Sequence, residues 1–195
     1  MDVKDARVKG TVLLDYVRLI HVAKDKNWDK YLKKEDWNII NGRILPSVWY
    51  PYEYFYRFGN AVLQEIAGGN MDIVRQFGKS NAETLFKGTY KGIMESTITG
   101  GGGAIRFLER YTALVPTLFN FAVIVLEKVS EKHVKFNVKV DLKLEEVLWE
   151  PYFAQLSGTV EKVVEMCGGK NPRVKIIAKR WEGGAQDSVL DIVWD

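Results

Sequence analysis

The sequence predicts an α+β fold, with an N-terminal helical layer packed on a C-terminal four-stranded antiparallel sheet. Two patterns and their order along the chain carry that expectation. Up to Val115, apolar residues recur at three- and four-residue steps, the spacing of one helical face. From Val134 to Leu144 they alternate with Lys135, Asn137, Lys139, Asp141 and Lys143, the period of a strand with one wet face. Helical patterns at one end and strand patterns at the other suit stacked layers better than βαβ units. No repeat or linker interrupts the chain, so residues 1–195 are expected to form a single domain.

The elements follow in order. Leu13, Tyr16, Val17 and Ile20 place one apolar stripe on a helix from about Thr11 to Lys24. Asn27 is positioned to cap a short second helix bearing Trp28, Tyr31 and Leu32, and residues 41–47, with Gly42 and Pro46, read as a connection. Pro51 suits the first turn of a third helix, which carries Phe55, Phe58, Val62 and Ile66 and stops at Gly68 and Gly69. Residues 71–77 and 81–94 read as two helices separated by a break, and a further helix bearing Ile105, Leu108, Thr112 and Val115 is expected to end before Pro116. Residues 119–129 and 134–144 should pair as a hairpin. A helix with Leu156, Val160, Val163, Val164 and Cys167 follows, and residues 174–181 and 188–194 make a second hairpin across Gly183 and Gly184. The tail therefore reads β-β-α-β-β.

Composition excludes several classes. With 195 residues, 47% of them apolar and 27% charged, the chain is of ordinary globular character. The net charge of +3 is dispersed, which argues against nucleic acid as a partner. In the densest basic run, Lys24, Lys26, Lys30, Lys33 and Lys34 alternate with Asp25, Asp29, Glu35 and Asp36, the pattern of a solvated helical face. No apolar run reaches the roughly 20 residues of a membrane span, and the start lacks an apolar leader, so a cytoplasmic protein is expected. One cysteine, Cys167, excludes an intrachain disulfide.

The motifs that suggest chemistry do not meet its requirements. Gly78-Lys79-Ser80 resembles a phosphate loop, but Ile73 stands where the first glycine is required, and the approach looks helical rather than extended. A helix end with a Ser or Asn cap is the expectation there. Gly100 to Gly103 lacks the spacing of a dinucleotide fingerprint and reads as an interhelix loop or a hinge. His21 and His133 have no partner at metal-ligand spacing; His133 is expected in a turn, exposed, and His21 in a structural role at a helix end. Cys167 falls on an apolar stripe, a packing position. Neither catalytic residues, nor a cofactor, nor a metal is expected.

Trp49 to Phe58 is the most distinctive segment, with seven aromatic residues in ten positions. One helical face cannot bury them all, so some should line a groove, a pocket or an interface. The alternative is that Phe55 and Phe58 are core while the tyrosines lie on the surface.

Val8-Lys9-Gly10-Thr11, Leu45-Pro46 with Trp49-Tyr50-Pro51, and an ending with Ser157-Gly158, Gly168-Gly169, Arg180-Trp181-Glu182-Gly183-Gly184 and Trp194 together resemble an uncharacterised bacterial family. That family is similar to the superfamily of haem-dependent nitric-oxide-binding domains, 4-vinyl-reductase domains and TRAPP tethering subunits. The resemblance implies helices on an antiparallel sheet, a ligand pocket between the layers, and frequent dimerisation. It does not extend to the haem ligands, since residues 51–115 contain no histidine and no Tyr-x-Ser-x-Arg element is present. Lys179, Asp187 and Ser188 stand where the 4-vinyl-reductase members carry cysteines. The resulting expectation is a non-enzymatic sensor or binding module for an apolar small molecule. Trp49, Tyr52, Phe55, Phe86, Tyr90 and Phe107 are the expected pocket residues, because such pockets use aromatic walls with a few polar tips. The alternative is an interaction module acting as a homodimer or scaffold.

Overall fold

The computed structural model describes residues 1–88, 90–100, 103–142, 149–182 and 185–195. Gly101 and Gly102 of the expected interhelix loop or hinge, the strand end at Leu144 and the turn at Gly183 and Gly184 lie outside them. The chain forms two compact units, one of residues 1–70 and 117–121, the other of residues 71–116 and 122–195.

The first unit holds helices α1 (Gly10–Val22), α2 (Lys34–Ile40) and α3 (Tyr52–Glu65) and a two-stranded ribbon of β1 (Arg7–Lys9) and β2 (Trp49–Pro51). In α1, Leu13, Tyr16, Val17 and Ile20 are all buried, as their spacing predicts. Gly10 opens α1 where two chain segments touch: a Cβ there would lie 2.3 Å from the Leu45 carbonyl oxygen. The expected second helix is only a 3₁₀ turn, Trp28–Lys30, and the Asn27 side chain does not cap it. α2 follows instead, and it changes the reading of the basic run. Asp36 is fully buried, because its carboxylate accepts from the Lys33 N–H at 2.8 Å and from Arg57 Nε at 2.8 and 3.0 Å. α3 ends at Gly68 and Gly69, whose φ angles of 57° and 76° are left-handed and therefore suit glycine.

The second unit holds α4 (Met71–Lys87), α5 (Lys91–Thr99), most of α6 (Gly103–Leu118), α7 (Trp149–Met166), and strands β3 (Ala122–Ser130), β4 (His133–Val140), β5 (Arg173–Glu182) and β6 (Ala185–Val193). The strands form one antiparallel sheet in the order β3-β4-β6-β5, giving the predicted β-β-α-β-β tail. Val134, Phe136, Val138 and Val140 point inward with Leu190 and Ile192, all at most 1% exposed.

Three helix boundaries differ from the sequence expectation, the first being that the helix expected over 81–94 is divided, with α4 ending at Lys87 and α5 beginning at Lys91. α4 runs unbroken through Gly78-Lys79-Ser80, so this segment is neither a loop nor a cap. Its glycine serves packing: a Cβ on Gly78 would lie 2.0 Å from the Gln155 carbonyl oxygen, and one on Gly158 of α7 would lie 1.9 Å from that of Arg75. The two backbones cross at a distance only glycine permits. Ion pairs flank the crossing, with Arg75 on Glu161 and Lys79 bridging Glu161 at 3.4 Å and Glu165 at 2.9 Å. Pro116 lies inside α6 rather than beyond it. Close to the C-terminal end, a missing N–H removes a single helical bond and the helix continues for two residues.

Candidate functional site

In α6, Phe107 and Tyr111 are four residues apart and share a face. Phe107 meets Phe86 of α4 edge-on, with centroids 4.7 Å apart, and Phe86 meets Tyr111 at 6.2 Å. Tyr111 stacks on Phe136 of β4 at 6.3 Å and 17°. This column of rings joins the helices to the sheet. At the start of α7, Trp149, Tyr152 and Phe153 form a second group, with Tyr152 centred 5.5 Å from each of the other two. Trp149 and Phe153 are buried.

Two hydroxyls stand in these apolar surroundings. Burial pushes the Tyr111 phenol far above its ordinary range, and the neighbouring Tyr152 adds to the effect. Burial likewise pushes Tyr152 up to about 12. Among the described residues neither hydroxyl has a hydrogen-bond partner. A desolvated hydroxyl ordinarily finds one. Both phenols stay protonated at neutral pH and can donate as well as accept.

The six residues expected at a pocket fall into two groups. Phe86 and Phe107 are in contact in the second unit, and Tyr90 is half-buried just beyond α4, its phenol also raised by burial. Trp49, Tyr52 and Phe55 belong to the first unit. Trp49 is 39% exposed on β2, with Lys9 Nζ 4.2 Å above its ring. Tyr52 and Phe55 pack at 6.0 Å within a cluster that includes Tyr16, Phe119 and Phe121. Sequence reasoning passed over Tyr111, Trp149 and Tyr152. The four-residue step from Phe107 to Tyr111, and the run Trp149, Tyr152, Phe153, Leu156 on one helical face, were the signals that could have found them.

The histidines and the cysteine are occupied elsewhere. His21 Nε2 donates to the Ile40 carbonyl at 2.9 Å. His133 is not in a turn but opens β4, half-buried, with Nε2 2.6 Å from Asp191 Oδ1. Cys167 is half-buried after α7, and burial pushes its thiol up to about 11, which keeps it protonated and unreactive. Among the described residues no cluster of His, Cys, Asp and Glu could hold a metal ion, and no helix is long and apolar enough to cross a membrane.

Helices on a four-stranded antiparallel sheet define the class as the H-NOX fold, which several solved structures share. An H-NOX domain studied for haem distortion superposes with a TM-score of 0.65 at 12% identity, over 96% of this chain and 95% of that one. An oxygen-binding H-NOX domain related to soluble guanylate cyclases gives 0.63 at 12%, covering 96% and 95%. A point mutant of the H-NOX domain of T. tengcongensis gives 0.61 at 14%, covering 96% and 97%. At such identities the likeness concerns the fold alone. The chain belongs to the DUF2378 family, described as a protein of unknown function, which matches residues 39–195. No curated protein matches it.

Proposed function

We propose that this protein is a non-enzymatic ligand-binding or sensor module of the cytoplasm, taking a largely apolar small molecule against the aromatic groups of the second unit. The observation that carries this reading is the group of rings Phe86, Phe107, Tyr111 and Phe136, with Trp149, Tyr152 and Phe153 at the start of α7, in which the two desolvated phenols of Tyr111 and Tyr152 have no hydrogen-bond partner among the described residues. Apolar walls with few polar groups suit a ligand that is mostly hydrocarbon and carries one hydrogen-bonding group. The H-NOX structures with the same fold include an oxygen-binding domain, which supports the sensor class.

A haem does not fit the donor set. Its iron would need a histidine, a thiolate or a phenolate. Both histidines have Nε2 engaged, His21 with the Ile40 carbonyl and His133 with Asp191, while the Cys167 thiol and the Tyr111 phenol are kept neutral by burial. The ligand proposed is therefore organic and metal-free.

Native mass spectrometry before and after organic-solvent extraction tests the reading, alongside titration with the apolar dye anilinonaphthalene sulfonate. The expected results are an extractable added mass or saturable dye binding, with Tyr111→Phe or Tyr152→Phe weakening affinity by roughly two- to tenfold, the worth of one hydrogen bond. The absence of both an extractable mass and saturable dye binding would defeat the proposal. A second reading, assembly as a homodimer, is favoured by the outer face of the sheet, where Val123 and Val125 stand exposed.

A further inference from the structure

Strand register sorts the outward side chains of the sheet into cross-strand rows. Running β3, β4, β6, β5, one row is Glu127, Lys135, Asp191, Lys175; the next is Val125, Asn137, Val189, Ala178; the third is Val123, Lys139, Asp187, Arg180. A two-fold axis lying along the strands, midway between β4 and β6, reverses the strand order while setting each row against itself. Glu127 then meets Lys175, Lys135 meets Asp191 and Lys139 meets Asp187. Val125 meets Ala178, Asn137 meets Val189, and Val123 meets the aliphatic stem of Arg180. No like charges face each other.

The relief of the surface obeys the same symmetry. Val123 and Val125 project from β3, 45% and 54% exposed. Across the axis lies a hollow of about 230 Å³, lined by Asn137, Lys139, Ala178, Arg180, Asp187 and Val189 among others. Asp191 is held by His133 at 2.6 Å, and among the described residues the other charged members of these rows have no ion pair within the chain.

We propose that this outer face is an isologous homodimer interface, with each copy seating its Val123 and Val125 in the other's hollow and Lys139 pairing with Asp187 of the partner subunit twice over. The proposal rests on the homodimer reading and gives it an interface. Four strands about 4.8 Å apart and three rows about 6.8 Å apart give a footprint of roughly 400 Å² per copy. That is small for a permanent complex, so the dimer should dissociate on dilution.

Sedimentation velocity of the full chain over a concentration series tests this, with thermal melts to verify that each variant folds. The expected result is a reversible dimer that Val125→Glu and Lys139→Glu each weaken at least about tenfold through buried or opposed charge. Combining Lys139→Glu with Asp187→Lys should restore the wild-type dissociation constant, because the swapped charges still meet their opposites. Val22→Glu, on the exposed end of α1, should leave it unchanged. A dimer unmoved by both face variants, or a swap that fails to restore it, overturns the interface and leaves self-association standing. A monomer at every concentration overturns both.

Discussion

Asp36 of the first unit and the Tyr111–Tyr152 pair of the second are both polar groups placed among apolar ones, and the fold treats them in opposite ways. Asp36 is fully buried, and a guanidinium and a backbone N–H meet its carboxylate. The two phenols are desolvated and meet no partner among the described residues. The α4–α7 crossing sides with Asp36: Glu161 is buried there, and Arg75 and Lys79 both reach it. Asp36 and Glu161 are saturated, whereas among the described residues Glu53 Oε2 is buried without a partner, so saturation marks particular sites and not the fold as a whole.

Removing the partner of a saturated group should have the largest effect. Arg57→Leu strands the Asp36 carboxylate in the interior and should cost about 3–5 kcal/mol, read from the urea midpoint. A loss below about 1 kcal/mol would show that Asp36 escapes to water, and the contrast would lose its first term. Next comes the crossing. Gly158→Ala forces a methyl group against the Arg75 carbonyl, so α4 and α7 must separate, at a cost of about 1–3 kcal/mol.

The phenols should behave differently. Tyr152 has its folded pKa raised from 10.0 to about 12, so its contribution is fully present below pH 10 and is lost as pH rises towards 12. Tyr152→Phe should therefore flatten the decline of stability over that window and leave neutral-pH stability nearly unchanged; an identical alkaline profile would show that the hydroxyl is solvated. The smallest effect is expected for Tyr111→Phe. Deleting a hydroxyl with no partner should leave stability unchanged or raise it by up to about 1 kcal/mol. A loss of 2 kcal/mol or more by the same denaturation would reveal a hidden partner and erase the distinction between the two sites.

Local pattern made much of the fold legible. The α1 stripe from Leu13 to Ile20, the alternation from Val134 to Val140 and the stop at Gly68 and Gly69 depend on neighbours within a few residues, and each stands where its spacing places it. The failures share one cause. Gly78 reads as a helix break because glycine is a poor helix former, but a carbonyl on Gln155, far along the chain, is what requires it. Asp36 reads as a surface charge until Arg57 reaches it from α3. The place of Trp49 on a short ribbon strand, with Lys9 over its ring, is likewise set by a contact distant along the chain.

The candidate site divides along the same line. That this chain would bury aromatic rings between helices and strands follows from periodicity, since the side-chain period is a local property of the backbone. Which rings meet, and which hydroxyls are left without partners, depends on contacts such as that of Tyr111 with Phe136, made across long stretches of chain and governed by three-dimensional packing. Phe86 and Phe107 were within reach of the sequence because each lies on a regular helical stripe. Tyr111 and Tyr152 lie on such stripes too, but the state of their hydroxyls does not show in the sequence, because a missing hydrogen bond exists only once every neighbour is in place.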